Sequence, residues 1–69
     1  MYNLDNIKTT KQELEILELL SNGYKANEIA KTMNLAEQTI KNKVQTICIK
    51  FDSSNRTEAV AKAIRLGII

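Results

Sequence analysis

Residues 38–45 hold side chains that can form hydrogen bonds with the edges of nucleic-acid bases. Asn and Gln carboxamides bond adenine through two hydrogen bonds, and a Lys ammonium reaches O6 and N7 of guanine. At helical spacing, Lys41, Asn42 and Gln45 share one predicted exposed face. Thr39 and Lys43 flank that face and can hold phosphates. Any solvated helix also shows a polar face, so this face alone leaves both interpretations open.

The apolar residues around this face predict an all-α fold. They recur at helical spacing over four segments, which are residues 11–21, 26–33, 37–50 and 56–67. Thr10 and Glu13 form a predicted capping box before the first segment, and Gly23 ends it in a left-handed conformation. We therefore expect an N-terminal arm at residues 1–8 and one helical domain at residues 9–69.

One side of the third helix is predicted to pack into the core. Its apolar residues follow the spacing i, i+4, i+7, i+8 and i+11, and they are Ile40, Val44, Ile47, Cys48 and Phe51. Cys48 is therefore interpreted as a buried, inert thiol, and a redox switch is the less favoured alternative. On the first helix, three glutamates lie on or beside the predicted solvent side, Glu13, Glu15 and Glu18.

Residues 26–50 have the layout of a helix-turn-helix, with two helices joined by the short segment 34–36. In such a motif the second helix enters the major groove of DNA and the first crosses the backbone. The polar face described above lies on that second helix. This layout favours DNA reading more strongly than the polar face does alone.

The charge distribution also favours a polyanionic partner for the second half of the chain. Residues 1–37 hold four lysines against six acidic residues, a net charge of −2. Residues 38–69 hold six basic residues against two acidic ones, a net charge of +4. An ordinary mixture of surface charge gives a similar asymmetry, so the charges do not decide the question.

Several classes of function fit the composition poorly. The chain has no histidine and one cysteine, and it lacks a phosphate-cradling glycine loop. We therefore expect no enzyme activity, no metal site, no cofactor and no small-molecule ligand. No apolar run approaches the ~18–20 residues that span a bilayer, and the N-terminus lacks the features of a signal peptide. With its lone cysteine, the chain is expected to act in the cytoplasm, away from any membrane.

The fourth helix is more apolar than one small core requires. Its apolar residues cover an arc of roughly 220°, whereas a surface helix needs about 100°. A chain of 69 residues with no internal disulfide often gains stability from a partner subunit. We therefore expect a homodimer whose interface contains Val60, Ala61 and Ile64. Alternatively, Ile68 and Ile69 or the N-terminal arm fold back over this surface.

Residues 10–69 resemble the DNA-binding domain of the LuxR-type helix-turn-helix family. The resemblance rests on segments in unbroken order, which are TKQELEILELL (10–20), NGY (22–24), EIA (28–30), LAEQTIKNKV (35–44), NRTEAV (55–60) and AIR (63–65). It covers nearly the whole chain, and the complete set of segments is far more specific than EIA alone. Three positions differ from the family pattern, Lys25 and Ala36 at helix caps and Lys43 where histidine is common.

The resemblance implies a four-helix domain that pairs through its last helix. Carried over by position, it implies base contacts from Lys41, Asn42 and Gln45. It implies phosphate contacts from Thr39, Lys43 and Lys50. The two missing caps each remove about 1 kcal/mol of helix stabilisation, and they bear on affinity and sequence preference more than on the fold.

These observations lead to one preferred hypothesis and two alternatives. The preferred one is a transcriptional regulator that binds an inverted repeat in double-stranded DNA as a homodimer. The first alternative is an interaction module of the same fold that binds another regulator. The second is a module bound to RNA polymerase, similar to the promoter-reading end of a sigma factor. We expect a complete, stand-alone protein, although a fragment of a longer regulator would look the same.

Overall fold

A computed structural model of the chain describes residues 7–69. This part of the chain contains four helices and no strand, with α1 at Lys11–Ser21, α2 at Ala26–Met33, α3 at Glu37–Lys50 and α4 at Arg56–Arg65. The predicted all-α fold is confirmed, and α1, α2 and α3 have the predicted bounds. The predicted arm at residues 1–8 lies outside the described residues except for Ile7 and Lys8.

The ends of α1 follow directly from local sequence. Thr10 Oγ1 accepts a hydrogen bond from the Glu13 backbone N–H at 3.1 Å, and Glu13 Oε1 accepts one from the Thr10 N–H at 2.9 Å. This reciprocal pair is the predicted capping box. At the other end, Gly23 has a φ of 86°, a left-handed conformation that glycine adopts without strain.

Two helices begin without a side-chain cap. Lys25 precedes α2 and has no acceptor, although its backbone N–H donates to Glu28 Oε1 at 2.8 Å. Ala36 precedes α3 in the extended conformation of a cap residue, with φ of −70° and ψ of 146°, and makes no capping hydrogen bond. The start of the predicted recognition helix therefore lacks the hydrogen bond that Ser, Thr, Asp or Asn would provide.

The fourth helix ends at Arg65, two residues before the predicted end at Gly67. Gly67 has a φ of 72°, and the N–H of Ile68 donates to the carbonyl of Ala63 at 2.9 Å. A left-handed glycine with such a backward hydrogen bond closes a helix from outside it. The prediction was wrong because it counted this closing glycine as part of the helix.

All four helices contribute to one core. Its buried apolar residues are Ile16, Leu17, Ile29, Ala30, Ile40, Ile47, Phe51, Ala59 and Ala63. α3 packs against each of the other three helices, and its contact with α2 is the most extensive. Ile7, Ile68 and Ile69 pack against this core while staying partly exposed. No helix within residues 7–69 is long and apolar enough to cross a membrane.

Glu13 is buried, so its predicted place on the solvent side of α1 is wrong. The residue is 6% exposed, and its Oε1 lies 2.8 Å from Nζ of Lys50 at the end of α3. Burial alone would raise the pKa of the Glu13 carboxyl. The hydrogen bonds from Lys50 and Thr10, together with the charge of Lys50, outweigh burial and lower that pKa. The carboxylate therefore stays charged and joins α1 to α3.

Candidate nucleic-acid interface

The core fixes which face of α3 is turned to solvent. Ile40, Ile47 and Phe51 are at most 1% exposed and lie against the other helices. Val44 and Cys48 complete the predicted stripe, and both are half-buried at its edge. Because this stripe faces the core, the opposite face of α3 is open along the length of the helix.

The Cys48 thiol is less buried than predicted, yet its environment suppresses its reactivity. Partial burial raises the pKa of the thiol, and the negative charge of Glu58 raises it further. The thiolate is the reactive form, so a raised pKa slows reaction with oxidants. This environment agrees with an inert role for Cys48.

The open face of α3 carries the predicted base-contacting residues. Lys41, Asn42 and Gln45 are all exposed and lie on this face. Gln38 and Ile49 extend it in the two directions along the helix, and Ile49 is 73% exposed. From Gln38 to Ile49 the face is about 16 Å long, at about 1.5 Å of rise per residue. An α-helix with its side chains is about 10–12 Å across, so it fits into a major groove about 12 Å wide with this face towards the bases.

The turn before α3 sets this face at the surface of a helix-turn-helix. Asn34 follows α2 with a φ of 57°, and the N–H of Leu35 donates to the carbonyl of Ala30 at 2.9 Å. These are features of a left-handed helix end. α3 starts at Glu37, three residues after Asn34, and packs against α2. The structure thus has the two-helix unit that the sequence predicts.

Two side-chain pairs lie on the open face. Gln38 Nε2 donates a hydrogen bond to Asn42 Oδ1 at 3.0 Å. Lys41 Nζ lies 3.3 Å from Glu37 Oε2, and both side chains are at least half exposed. An exposed ion pair of this kind contributes less than about 1 kcal/mol. A stronger anion can therefore displace Glu37 from Lys41 at little cost.

The predicted phosphate-contacting residues fall into two groups. Thr39 and Lys43 are half-buried beside the open face, in positions that fit contacts to a backbone. Lys50 follows Lys43 by seven residues, about two turns along the same flank, and is the last residue of α3. Its Nζ bonds Glu13 Oε1 at 2.8 Å and the Lys8 carbonyl at 3.1 Å, so its ammonium group is held by intramolecular bonds.

Lys62 is a second basic side chain that stabilises the fold. Its Nζ donates to the carbonyl of Phe51 at 3.1 Å and to that of Asp52 at 2.8 Å. Both carbonyls lie just past the end of α3, where a positive charge favours the helix dipole. The ammonium groups of Lys50 and Lys62 are thus both held by bonds to main-chain carbonyls or a buried carboxylate.

The predicted dimer residues lie on the outer side of α4. Val60 and Ala61 are half-buried, and Ile64 is 55% exposed. Val60 also borders a shallow cavity of about 150 Å³ between α1 and α4, together with Leu20 and Arg56. The C-terminal isoleucines, Ile68 and Ile69, pack against the core, and Ile64 stays open to solvent.

A comparison with known families identifies this arrangement. Residues 9–63 match the GerE model, which describes bacterial regulatory proteins of the luxR family. The match includes the helix-turn-helix and most of α4. The chain belongs to the luxR family.

Named relatives of this luxR-family chain are regulators. It is 36% identical to the transcriptional regulatory protein DegU of Brevibacillus brevis, over 84% of this chain and 25% of that protein. It is 40% identical to YxjL of Bacillus subtilis, an uncharacterized transcriptional regulatory protein, over 87% of this chain and 28% of that protein. It is 42% identical to the quorum sensing-dependent transcriptional regulator VjbR of Brucella ovis, over 87% of this chain and 23% of that protein. The chain thus spans about a quarter of the length of these relatives.

Sequence reasoning placed Gln38 on the exposed face of this luxR-family site with Lys41, Asn42 and Gln45, and it missed Ile49. The helical period places Ile49 on the same face as Asn42, so that signal was available. The Gln38–Asn42 hydrogen bond follows from their i, i+4 spacing, at which side chains on a helix meet. Ile49 was overlooked because an isoleucine inside a helix is usually read as part of the core.

Proposed function

We propose that this luxR-family domain binds specific sequences in double-stranded DNA and regulates transcription. The observation that carries the proposal is the open face of α3, where Lys41, Asn42 and Gln45 are exposed within a helix-turn-helix. Their side chains match the hydrogen-bond pattern of purine edges in the major groove. Thr39 and Lys43 then hold phosphates beside the groove, and the domain acts in the cytoplasm.

We further propose that two copies bind an inverted repeat. A two-fold dimer places two recognition helices on successive major grooves, about 34 Å apart along the duplex. The exposed Ile64 with Val60 and Ala61 on α4 supports an interface between copies. A symmetric interface suits this surface, because the same apolar patch serves both partners.

Selection of duplexes from a random library at about 100 mM salt tests this function. The expected result is an inverted repeat with half-sites about one helical turn apart.

Lys41→Glu should then weaken binding to the selected duplex at least tenfold, because it removes a base contact and adds a negative charge that DNA repels. Lys11→Glu on α1 makes the same charge change outside the helix-turn-helix and should have a much smaller effect. Equal losses for both variants would contradict the assigned face.

A protein-interaction module is the second candidate, and the internal bonds of Lys50 and Lys62 favour it. With both ammonium groups held by the fold, the second half presents less free positive charge than its sequence suggests. Non-specific attraction to DNA depends on the number of free cations. If the library gives no enrichment and no duplex binds at low salt, the open face of α3 is assigned instead to another regulator or to RNA polymerase.

A further inference from the structure

Gln38 and Asn42 form a pair of linked carboxamides on the open face of α3. The two side chains are exposed, lie one helical turn apart and are joined by the 3.0 Å bond from Gln38 Nε2 to Asn42 Oδ1. An Asn carboxamide on a helix surface otherwise rotates between two orientations that exchange its oxygen and its nitrogen. The bond donated by Gln38 Nε2 is made in only one of them, the orientation with Oδ1 towards Gln38.

We propose that Gln38 is a positioning residue that sets Asn42 to read adenine, an inference that rests on the proposed function. Asn42 Oδ1 has two lone pairs, and Gln38 occupies one of them. The other lone pair can accept from N6 of adenine, while Asn42 Nδ2 donates to N7. Gln38 thus fixes the order of acceptor and donor before the DNA arrives.

This order discriminates adenine from guanine. Guanine presents two acceptors in the major groove, O6 and N7, and therefore needs two donors. With Oδ1 held by Gln38, the Asn42 carboxamide presents one acceptor and one donor. Opposite guanine, Oδ1 meets O6 and the contact becomes repulsive. Either orientation of the carboxamide leaves one such mismatch opposite guanine, whereas only the orientation set by Gln38 matches both edges of adenine. Loss of Gln38 therefore costs the adenine complex its preset orientation and leaves the guanine complex little changed, so the preference for adenine weakens.

The test first finds the base pair of the selected duplex at which Asn42→Ala relaxes the sequence preference. It then measures binding of the full chain to that duplex with adenine or with guanine at this position. Asn42→Ala should reduce the adenine preference by about 5- to 150-fold. Gln38→Ala should reduce it by about three- to tenfold, the scale of one hydrogen bond. Gln38→Glu should reduce it further, because a carboxylate accepts from Nδ2 and turns Oδ1 away. Gln12→Ala, an exposed glutamine of α1, is the control and should leave the preference unchanged.

A double-mutant cycle separates positioning from direct contact. In the Asn42→Ala background, Gln38→Ala should have no further effect on the adenine preference. Replacing the adenine with 7-deazaadenine removes the N7 acceptor and should lower the affinity. This loss of affinity should be smaller in Gln38→Ala than in wild type. A merely structural role for Gln38 would change neither ratio.

Three outcomes overturn the inference while leaving the proposed function intact. The first is an adenine preference that Gln38→Ala leaves unchanged, including an equal loss of affinity for adenine and guanine. The second is an equal effect of Gln38→Ala with and without Asn42, and the third is a base other than adenine at the Asn42 position. Failure of the unmodified chain to bind any duplex is a separate result, and it rejects the proposed function itself.

Discussion

At the scale of single residues, lysines that look equivalent in the sequence have different environments in the fold. Lys41 is exposed and pairs only with an exposed glutamate, so it is available to an outside anion. Lys50 and Lys62 bond a carboxylate and main-chain carbonyls instead. The net charge of the second half therefore overstates the positive charge that is free to meet DNA, and the other basic residues, Lys41, Lys43, Arg56 and Arg65, carry what is left.

The ion pair between Glu13 and Lys50 should make stability depend on acid. Glu13→Gln should lower the free energy of unfolding at pH 7 by about 1–3 kcal/mol, because the ion pair between the Glu13 carboxylate and Lys50 is lost. The pKa of Glu13 is lowered below its ordinary value of 4.5. The stabilisation is thus complete above 4.5 and is lost as the pH falls through the lowered pKa. Urea unfolding from pH 7 downward should show the two proteins converging in this acidic range.

A matched variant isolates the contribution of this pair from a general effect of charge. Glu15 is exposed on the same helix, so Glu15→Gln should change stability by at most about 0.5 kcal/mol at any pH. A gap between wild type and Glu13→Gln that stays constant down to pH 3 would show that the carboxylate charge is not its source.

Ile47 and Ile49 provide a second contrast at the residue scale. Ile47 is 1% exposed and Ile49 is 73% exposed, although they are separated by one residue. Ile47→Ala leaves a cavity and should lower the free energy of unfolding by about 2–4 kcal/mol. Ile49→Ala should change it by at most about 0.5 kcal/mol. Thermal unfolding of both variants measures the difference, and a large loss in Ile49→Ala would mean that α3 is rotated from the orientation described.

At the scale of elements, the sequence predicts what local interactions decide. The capping box at Thr10, the left-handed Gly23 and the apolar period determine the bounds of α1 and α3 with no help from the rest of the chain. Long-range contacts were not predictable in this way. The Lys50 partner lies 37 residues away, and the Phe51 carbonyl lies 11 residues from Lys62. No period or motif links such pairs.

The candidate site likewise contains features that the local sequence predicts and features that depend on distant neighbours. The exposure of Lys41, Asn42 and Gln45 follows from the helical period once the core stripe is known. The assignment of Lys50 to phosphate came from position in the family alone, and the structure gives its ammonium group an internal partner. A family position transfers the place of a residue on the helix, whereas its bonding depends on neighbours such as Glu13 that belong to this chain.

The uncapped start of α3 gives a prediction for this element. Ala36→Ser should raise the free energy of unfolding by about 1 kcal/mol, because Ala36 already has the backbone conformation of a cap and serine adds the missing acceptor. Ala36→Val is the control, since it fits the extended backbone but has no acceptor, and it should give no stabilisation. Urea unfolding compares the three proteins. Equal stability of the serine and valine variants would show that the first turn of α3 does not use a cap.

At the scale of the whole molecule, two uses of the α4 surface compete. Ile68 and Ile69 pack against the core and stay partly exposed. Ile64 stays 55% exposed beside the half-buried Val60 and Ala61. The C-terminal residues therefore leave an apolar side chain of α4 uncovered. A second copy of the domain can bury the rest.

Ile64→Glu tests whether that second copy is needed. Because Ile64 is exposed in the isolated domain, the substitution should leave the fold intact and change stability by at most about 0.5 kcal/mol. Two glutamates facing each other across a two-fold axis would repel and prevent pairing. Sedimentation at tens of micromolar, with a duplex that carries two half-sites, should show two wild-type chains bound together. The variant should bind the two half-sites independently, with an affinity at least about tenfold lower than that of wild type.

Ile49→Glu is the matched control, since it makes the same change at an exposed isoleucine outside α4. It should leave the pairing of free chains unaltered while weakening attraction to DNA, because its added charge lies on the open face of α3. If wild type and Ile64→Glu bind both half-sites with the same affinity and without cooperativity, the α4 surface is not an interface. The C-terminal isoleucines would then be sufficient cover, and each domain would read its half-site alone.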